Sequence, residues 1–100
     1  MVEIKSIYGD SIFDYEKSET LVGADLSYKD LSYADFRGMD LRNANFEGCD
    51  LSYAVFDNAN VSGANFMSAD FSYAEVEDCD FSEANTVNVH FEHGRRHCTL

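Results

Sequence analysis

The stretch that decides the fold is ADLSYKDLSYADFRGMDLRNANFEGCDLSYAVF, residues 24–56, in which every fifth residue is Leu or Phe. Outward from it, the same spacing runs from Leu21 to Phe91, and Thr86 is the one exception among 15 positions. Nine of the residues that lie two places before these positions are Ala, and the residue between is almost always Asp or Asn. A period of five fits neither an α-helix at 3.6 residues nor a plain strand at 2. The pattern therefore predicts a repeat architecture in which stacked units share one core.

The motif A-(D/N)-(L/F)-x-x resembles the signature of the pentapeptide repeat family, and the resemblance covers Glu19 to His93. It implies an all-β fold, a right-handed quadrilateral parallel β-helix in which four pentapeptides form one coil of 20 residues. Fifteen units make just under four coils. We expect a non-repeat N-terminal cap at residues 1–18, the β-helix at residues 19–93 and a C-terminal tail at residues 94–100.

The local pattern of apolar and polar residues is compatible with this geometry. Within each unit a small residue, a polar residue and a large apolar residue alternate inward, outward and inward, as along an extended strand. The next two residues turn the corner. Gly23, Gly38, Gly48 and Gly63 all fall at the second corner position, where we expect positive φ.

Length and charge narrow the classes of partner. A chain of 100 residues with a net charge of −12 is one small acidic domain, which repels nucleic acid and anionic membrane surfaces. The N-terminus lacks the basic-then-apolar order of a secretory signal, and three cysteines in these positions do not suggest a disulfide framework. We therefore expect a cytoplasmic protein.

Enzyme signatures are absent from the sequence, which has no P-loop, no G-x-G-x-x-G and no G-x-S-x-G. A tube with a packed interior also offers no cleft for paired carboxylates to work across. We predict a protein that is not an enzyme and has no cofactor.

The acidic surface is the strongest functional clue. Residues 19–93 carry 15 acids and 3 bases, a net charge of −12, and no Lys or Arg occurs from Asn43 through Gly94. A tube of four coils is about 19 Å long, and duplex DNA carries about 11 charges over that length. Some members of the family that this chain resembles are DNA mimics that bind gyrase or topoisomerase IV. The charge favours a DNA-mimic decoy, an inhibitor that occupies the DNA-binding groove of a topoisomerase, gyrase or nuclease. The predicted partner-binding acids are Asp30, Asp50, Asp57, Asp70, Glu75, Glu77 and Asp78.

A generic protein-interaction scaffold is the alternative, and the sequence leaves it open. The 20-residue repeat D-(L/F)-S-Y places Tyr33, Tyr53 and Tyr73 in one column, which is either a recognition platform or a ladder that stabilises adjacent coils. The end of the tube formed by Phe81, Val89 and Phe91 is a candidate homodimer surface. His90, His93, His97 and Cys98 have donor atoms that zinc uses, and they are weak candidates for a metal site.

Overall fold

The computed structural model describes residues 1–92, which form an all-β chain without a helix in that range. Two regular strands come first: β1 at Val2–Lys5 and β2 at Ser11–Tyr15. They pair in antiparallel register, with Ile4 opposite Phe13, and the register shifts between Ile4 and Lys5. In residues 1–92 there is accordingly no helix long and apolar enough to cross a membrane.

Past the hairpin, the backbone pairs with itself at a spacing of 20 residues. Parallel bridges join Asp25 to Asn45, Asn45 to Asn65 and Asn65 to Asn85. Between bridges, the Phe46 N–H donates to the Asn65 carbonyl at 2.7 Å, and equivalent bonds recur on the other sides. The chain is a right-handed quadrilateral parallel β-helix, as the five-residue repeat predicts.

Large apolar residues fill the tube. The large apolar residue of every repeat from residue 21 to residue 81 is at most 3% exposed. These residues are Leu21, Leu26, Leu31, Phe36, Leu41, Phe46, Leu51, Phe56, Val61, Phe66, Phe71, Val76 and Phe81. Thr86, where the spacing lacks an apolar residue, is half-buried. Phe56 lies at the centre, with its ring centroid 4.8 Å from that of Phe36 and 5.4 Å from that of Phe71. Small residues such as Ala44 and Cys49 are buried between the large ones, so the sides of the tube can approach each other.

The corners turn through residues with positive φ. The expected glycines are there, for example Gly48 at +66°, but nine other residues adopt the same conformation. Three of the nine are Tyr33, Tyr53 and Tyr73, at +61° to +64°. Positive φ is strained for an aromatic residue, so neighbouring contacts must hold these corners in place.

The hairpin is attached to the first coil through backbone hydrogen bonds. Ile4 is fully buried against the core. The Asp35 N–H donates to the Lys5 carbonyl and the Ile7 N–H donates to the Tyr33 carbonyl, both at 2.8 Å. The amino group of Lys29 lies 4.5 Å from the centroid of the Phe13 ring, where a cation and an aromatic face attract. The boundaries at residues 18, 19, 93 and 94 stay predictions.

Candidate functional site

All seven aspartates just before the large core residues take part in the turns. The carboxylate of each accepts a hydrogen bond, at 2.8 to 3.3 Å, from the backbone N–H two residues later. The seven are Asp25, Asp30, Asp35, Asp40, Asp50, Asp70 and Asp80. Asn45 and Asn60 make the same bond with their amide oxygens. Where the turn bond forms, it uses an oxygen acceptor, which is either charged or neutral.

These turn bonds change the acidity of several carboxyl groups. The hydroxyl of Ser32, and then its backbone N–H, lower the pKa of Asp30. Hydrogen bonds from residues two places later lower the pKa of four others in the same way: Asp25, Asp35, Asp40 and Asp80. Among the predicted partner-binding acids, Asp30, Asp50 and Asp70 thus have a role in the fold, through the serines at 32, 52 and 72.

The other four predicted acids, Asp57, Glu75, Glu77 and Asp78, lie together on one side of the tube, which we call the acidic face. A parallel bridge places Glu75 beside Val55, and the Asp57 carboxylate accepts the Glu77 N–H at 3.0 Å across adjacent coils. Asp78 turns the corner at a φ of +54°. Glu77 and Asp78 are exposed, and Asp57 and Glu75 are half-buried.

Few cations compensate this face. Arg37 makes two bonds to Asp35, from Nε at 2.8 Å and from Nη2 at 2.7 Å. Asp35 raises the pKa of Arg37, and the charges of Asp57 and Glu75 add to that effect. Arg42 is bound to Asp40 in the same two-bond arrangement. Both guanidinium groups therefore bind aspartates two residues earlier. The segment from residue 43 to residue 92 contains no Lys or Arg.

The tyrosines form a continuous stack. Ring centroids are 4.8 Å apart for Tyr33 and Tyr53 and 5.0 Å apart for Tyr53 and Tyr73, with interplanar angles of 3° and 5°. Tyr8 of the hairpin continues the column at 6.0 Å and 38° from Tyr33. The three stacked residues are 38 to 48% exposed. The stack supports the ladder interpretation, because the ring faces are occupied by neighbouring rings.

The sequence did not predict a hydrogen bond between Tyr28 and Glu47. The Tyr28 hydroxyl donates to the Glu47 carboxylate at 2.9 Å, and this contact raises the pKa of Tyr28. The two residues are 19 apart, which makes them neighbours on adjacent coils. The 20-residue coil length predicts that residues about 20 apart lie side by side. The residue types alone do not identify Tyr28 and Glu47 as a bonded pair.

The predicted dimer end is only partly a surface. Phe81 is 1% exposed, so it belongs to the core of the chain and is not available to a second copy. Val89 and Phe91 are half-buried, and the Phe91 ring stacks on Phe71 at 5.9 Å. A homodimer through this end stays a prediction.

The weak metal candidates fall largely beyond the described chain. His93, His97 and Cys98 lie outside residues 1–92, and His90 contacts Glu92 at 3.3 Å. Within residues 1–92 no three His, Cys, Asp or Glu side chains are grouped as metal ligands. Cys49 is buried, its thiol donates to the Leu26 carbonyl, and burial raises its pKa. Two clefts of about 180 and 410 Å³ lie beside the hairpin, and neither is lined by the acidic face.

Comparison with known proteins agrees with this geometry. The family model for pentapeptide repeats matches residues 21–56 and 49–85, in eight copies. No curated protein sequence matches the chain significantly. Among solved structures, HetL of the cyanobacterium Nostoc sp. strain PCC 7120, a pentapeptide repeat protein involved in heterocyst differentiation regulation, is 33% identical with a TM-score of 0.76. That match covers 81% of this chain and 38% of HetL.

Two further solved structures are pentapeptide repeat proteins. One, from the thylakoid lumen of Arabidopsis thaliana, is 31% identical with a TM-score of 0.52, over 74% of this chain and 55% of that protein. The other, Rfr23 of the cyanobacterium Cyanothece 51142, is 25% identical with a TM-score of 0.57, over 78% of this chain and 54% of Rfr23. The chain thus spans roughly 40 to 55% of the length of the solved proteins it matches.

Proposed function

Because the chain belongs to the pentapeptide repeat family, we propose that it is a DNA-mimic decoy that occupies the DNA-binding groove of a protein such as a topoisomerase, gyrase or nuclease. Proteins of this family are typically interaction scaffolds and generally not enzymes. The proposed partner is a cytoplasmic DNA-binding protein, and the chain itself contacts no nucleic acid.

The observation that carries the proposal is the clustering of like charges on the acidic face. Asp57, Glu75, Glu77 and Asp78 share one side of the tube, although like charges on adjacent coils repel each other. Asn58 and Asn88 occupy corner positions equivalent to Asp78 at φ of +63° and +58°, so the corner does not require an acid. Like charges that are crowded on one side, beyond what the Asp78 corner requires, are a candidate for binding a basic surface.

The turn bonds divide the acids by role. Asp30, Asp50 and Asp70 contribute to the negative field, but their serine contacts give them a role without any partner. Glu77 and Asp78 are exposed and extend the charge to the solvent. We therefore assign the specific contacts with partner lysines and arginines to the acidic face, and a steering role to the aspartate column.

Affinity capture tests this function. Immobilised protein is incubated with bacterial lysate at about 50 mM and about 300 mM salt, with and without added duplex DNA, and bound proteins are identified by mass spectrometry. We expect a DNA-binding protein that is retained at low salt and released by high salt or by duplex DNA. A partner that resists salt and is indifferent to DNA would contradict the decoy and favour a scaffold that binds through Tyr33, Tyr53 and Tyr73.

A matched pair of variants separates the acidic face from net charge. Glu75→Lys, Glu77→Lys and Asp78→Lys together change the charge by +6, and so do Asp10→Lys, Asp14→Lys and Glu16→Lys on the exposed hairpin. We expect the first variant to lose the captured protein and the second to retain it. Equal loss in both would show that overall charge, and no particular face, governs binding.

A further inference from the structure

We propose that the column of Tyr33, Tyr53 and Tyr73 is a site of oxidative modification, at which one-electron oxidation joins adjacent rings into an intramolecular dityrosine cross-link. The inference is independent of the acidic face and of any partner. It concerns covalent chemistry at a surface that the proposed function leaves unused.

Geometry is the first argument. Centroids of consecutive rings lie 4.8 and 5.0 Å apart, and the planes are within 5° of parallel. The three residues share a φ between +61° and +64°, and their backbones are joined by bonds such as Tyr33 N–H to the Ser52 carbonyl at 2.9 Å. The rings therefore stay in register, and coupling requires two adjacent rings to turn about their side-chain torsions and approach until their ortho carbons meet.

Accessibility is the second argument. Tyr33, Tyr53 and Tyr73 are 38, 42 and 48% exposed, so an oxidant in solution can reach every phenol of the stack. Coupling requires two phenoxyl radicals on neighbouring rings, before either radical is quenched. The column offers two such neighbouring pairs, because the central ring of Tyr53 is stacked between Tyr33 and Tyr73.

Each of two tyrosine phenols gives one electron and one proton to a one-electron oxidant, and the two phenoxyl radicals then form a carbon–carbon bond between ring positions ortho to the hydroxyls. The hydrogen atoms displaced from those carbons move to the oxygens, which restores both phenols. With a haem peroxidase as the oxidant, one hydrogen peroxide accepts the two electrons and two protons and becomes two waters. The protein loses two hydrogen atoms.

The experiment treats dilute protein with horseradish peroxidase and hydrogen peroxide, then measures dityrosine fluorescence and intact mass. Digestion after glutamate separates the two possible links, because Tyr33 lies in the peptide 20–47 and both Tyr53 and Tyr73 lie in the peptide 48–75. A link from Tyr33 to Tyr53 joins the two peptides. A link from Tyr53 to Tyr73 leaves one peptide that is two hydrogen atoms lighter.

Tyr53→Phe is the decisive variant, since it removes the phenol common to both stacked pairs and keeps the ring. We expect both linked products to be lost. Tyr28→Phe is the matched control: Tyr28 is 71% exposed and bonded to Glu47, and it has no stacked ring among the described residues, so both products should remain. Products formed only between two molecules would overturn the proposal, as would an intramolecular link within the peptide 48–75, or between the peptides 20–47 and 48–75, that persists in Tyr53→Phe. If Tyr53→Phe misfolds, the peptide map of the wild-type protein decides alone.

Discussion

Gly48 provides a quantitative test of how the coils stack. Its φ is +66°, and a Cβ added there would lie 2.5 Å from two carbons of the Tyr28 ring on the preceding coil. An alanine at this φ costs about 1 kcal/mol for the backbone alone. Displacing the Tyr28 ring also breaks its hydrogen bond to Glu47, so the total cost exceeds that of the backbone alone. Gly48→Ala should therefore destabilise the protein by more than about 1 kcal/mol, and lower the melting temperature by more than roughly 4 to 8 °C.

Gly23→Ala is the matched control, because Gly23 has a φ of +71° but nothing within 4 Å of its added Cβ. It should cost only the backbone part, about 1 kcal/mol. Thermal and urea unfolding of both variants, repeated in a Tyr28→Ala background, gives a double-mutant cycle. In that background the destabilisation caused by Gly48→Ala should fall to the value for Gly23→Ala. Equal costs for the two glycines in the wild-type background would refute the stacking of Tyr28 over Gly48.

Three further predictions concern the core, the turns and the acidic face. Phe56→Ala removes the ring at the centre of the core and should cost about 3 to 5 kcal/mol in urea unfolding, whereas a loss below 1 kcal/mol would contradict its central packing. The pKa of Asp35 is lower in the folded chain than in the unfolded chain, so its contribution is present above the unfolded value and disappears as the pH falls through the folded value. The free energy of unfolding should therefore decrease from about pH 4 downwards. Asp35→Asn should make this decrease with pH shallower, and an unchanged pH dependence would show that the bond from Arg37 is absent in solution. Glu77→Gln should raise the melting temperature slightly at low salt and not at high salt, since it relieves repulsion from Asp57; a decrease at low salt would argue against that repulsion.

The sequence predicts the repeat geometry well because the five-residue spacing encodes burial directly. Leu26 and Phe46 are inward, as alternation within each unit requires, and both are fully buried. The glycines at the second corner position adopt positive φ, as steric freedom suggests. Both properties depend on the spacing of residues along the chain, which can be read directly from the sequence.

Other features depend on contacts that spacing alone does not define. The turn bond from Asp30 to Ser32 requires a side-chain rotamer, so the sequence presents Asp30 as a surface acid without showing its bond. Tyr53 was expected on the outer edge, but its positive φ becomes visible only with the backbone traced. Phe81 was predicted at an open end and is buried, because contacts with Phe66 and Phe71 enclose its ring.

The most direct test of the acidic decoy is competition with duplex DNA. The protein captured from lysate is bound to a fluorescent duplex, and the chain is titrated in while anisotropy is followed at about 50 and about 300 mM salt. We predict displacement of the duplex by the wild-type protein and by Asp10→Lys/Asp14→Lys/Glu16→Lys, weakening at high salt. The variant Glu75→Lys/Glu77→Lys/Asp78→Lys should leave the duplex bound. If that variant displaces the duplex as well as the wild-type protein does, the acidic face is not a substitute for DNA.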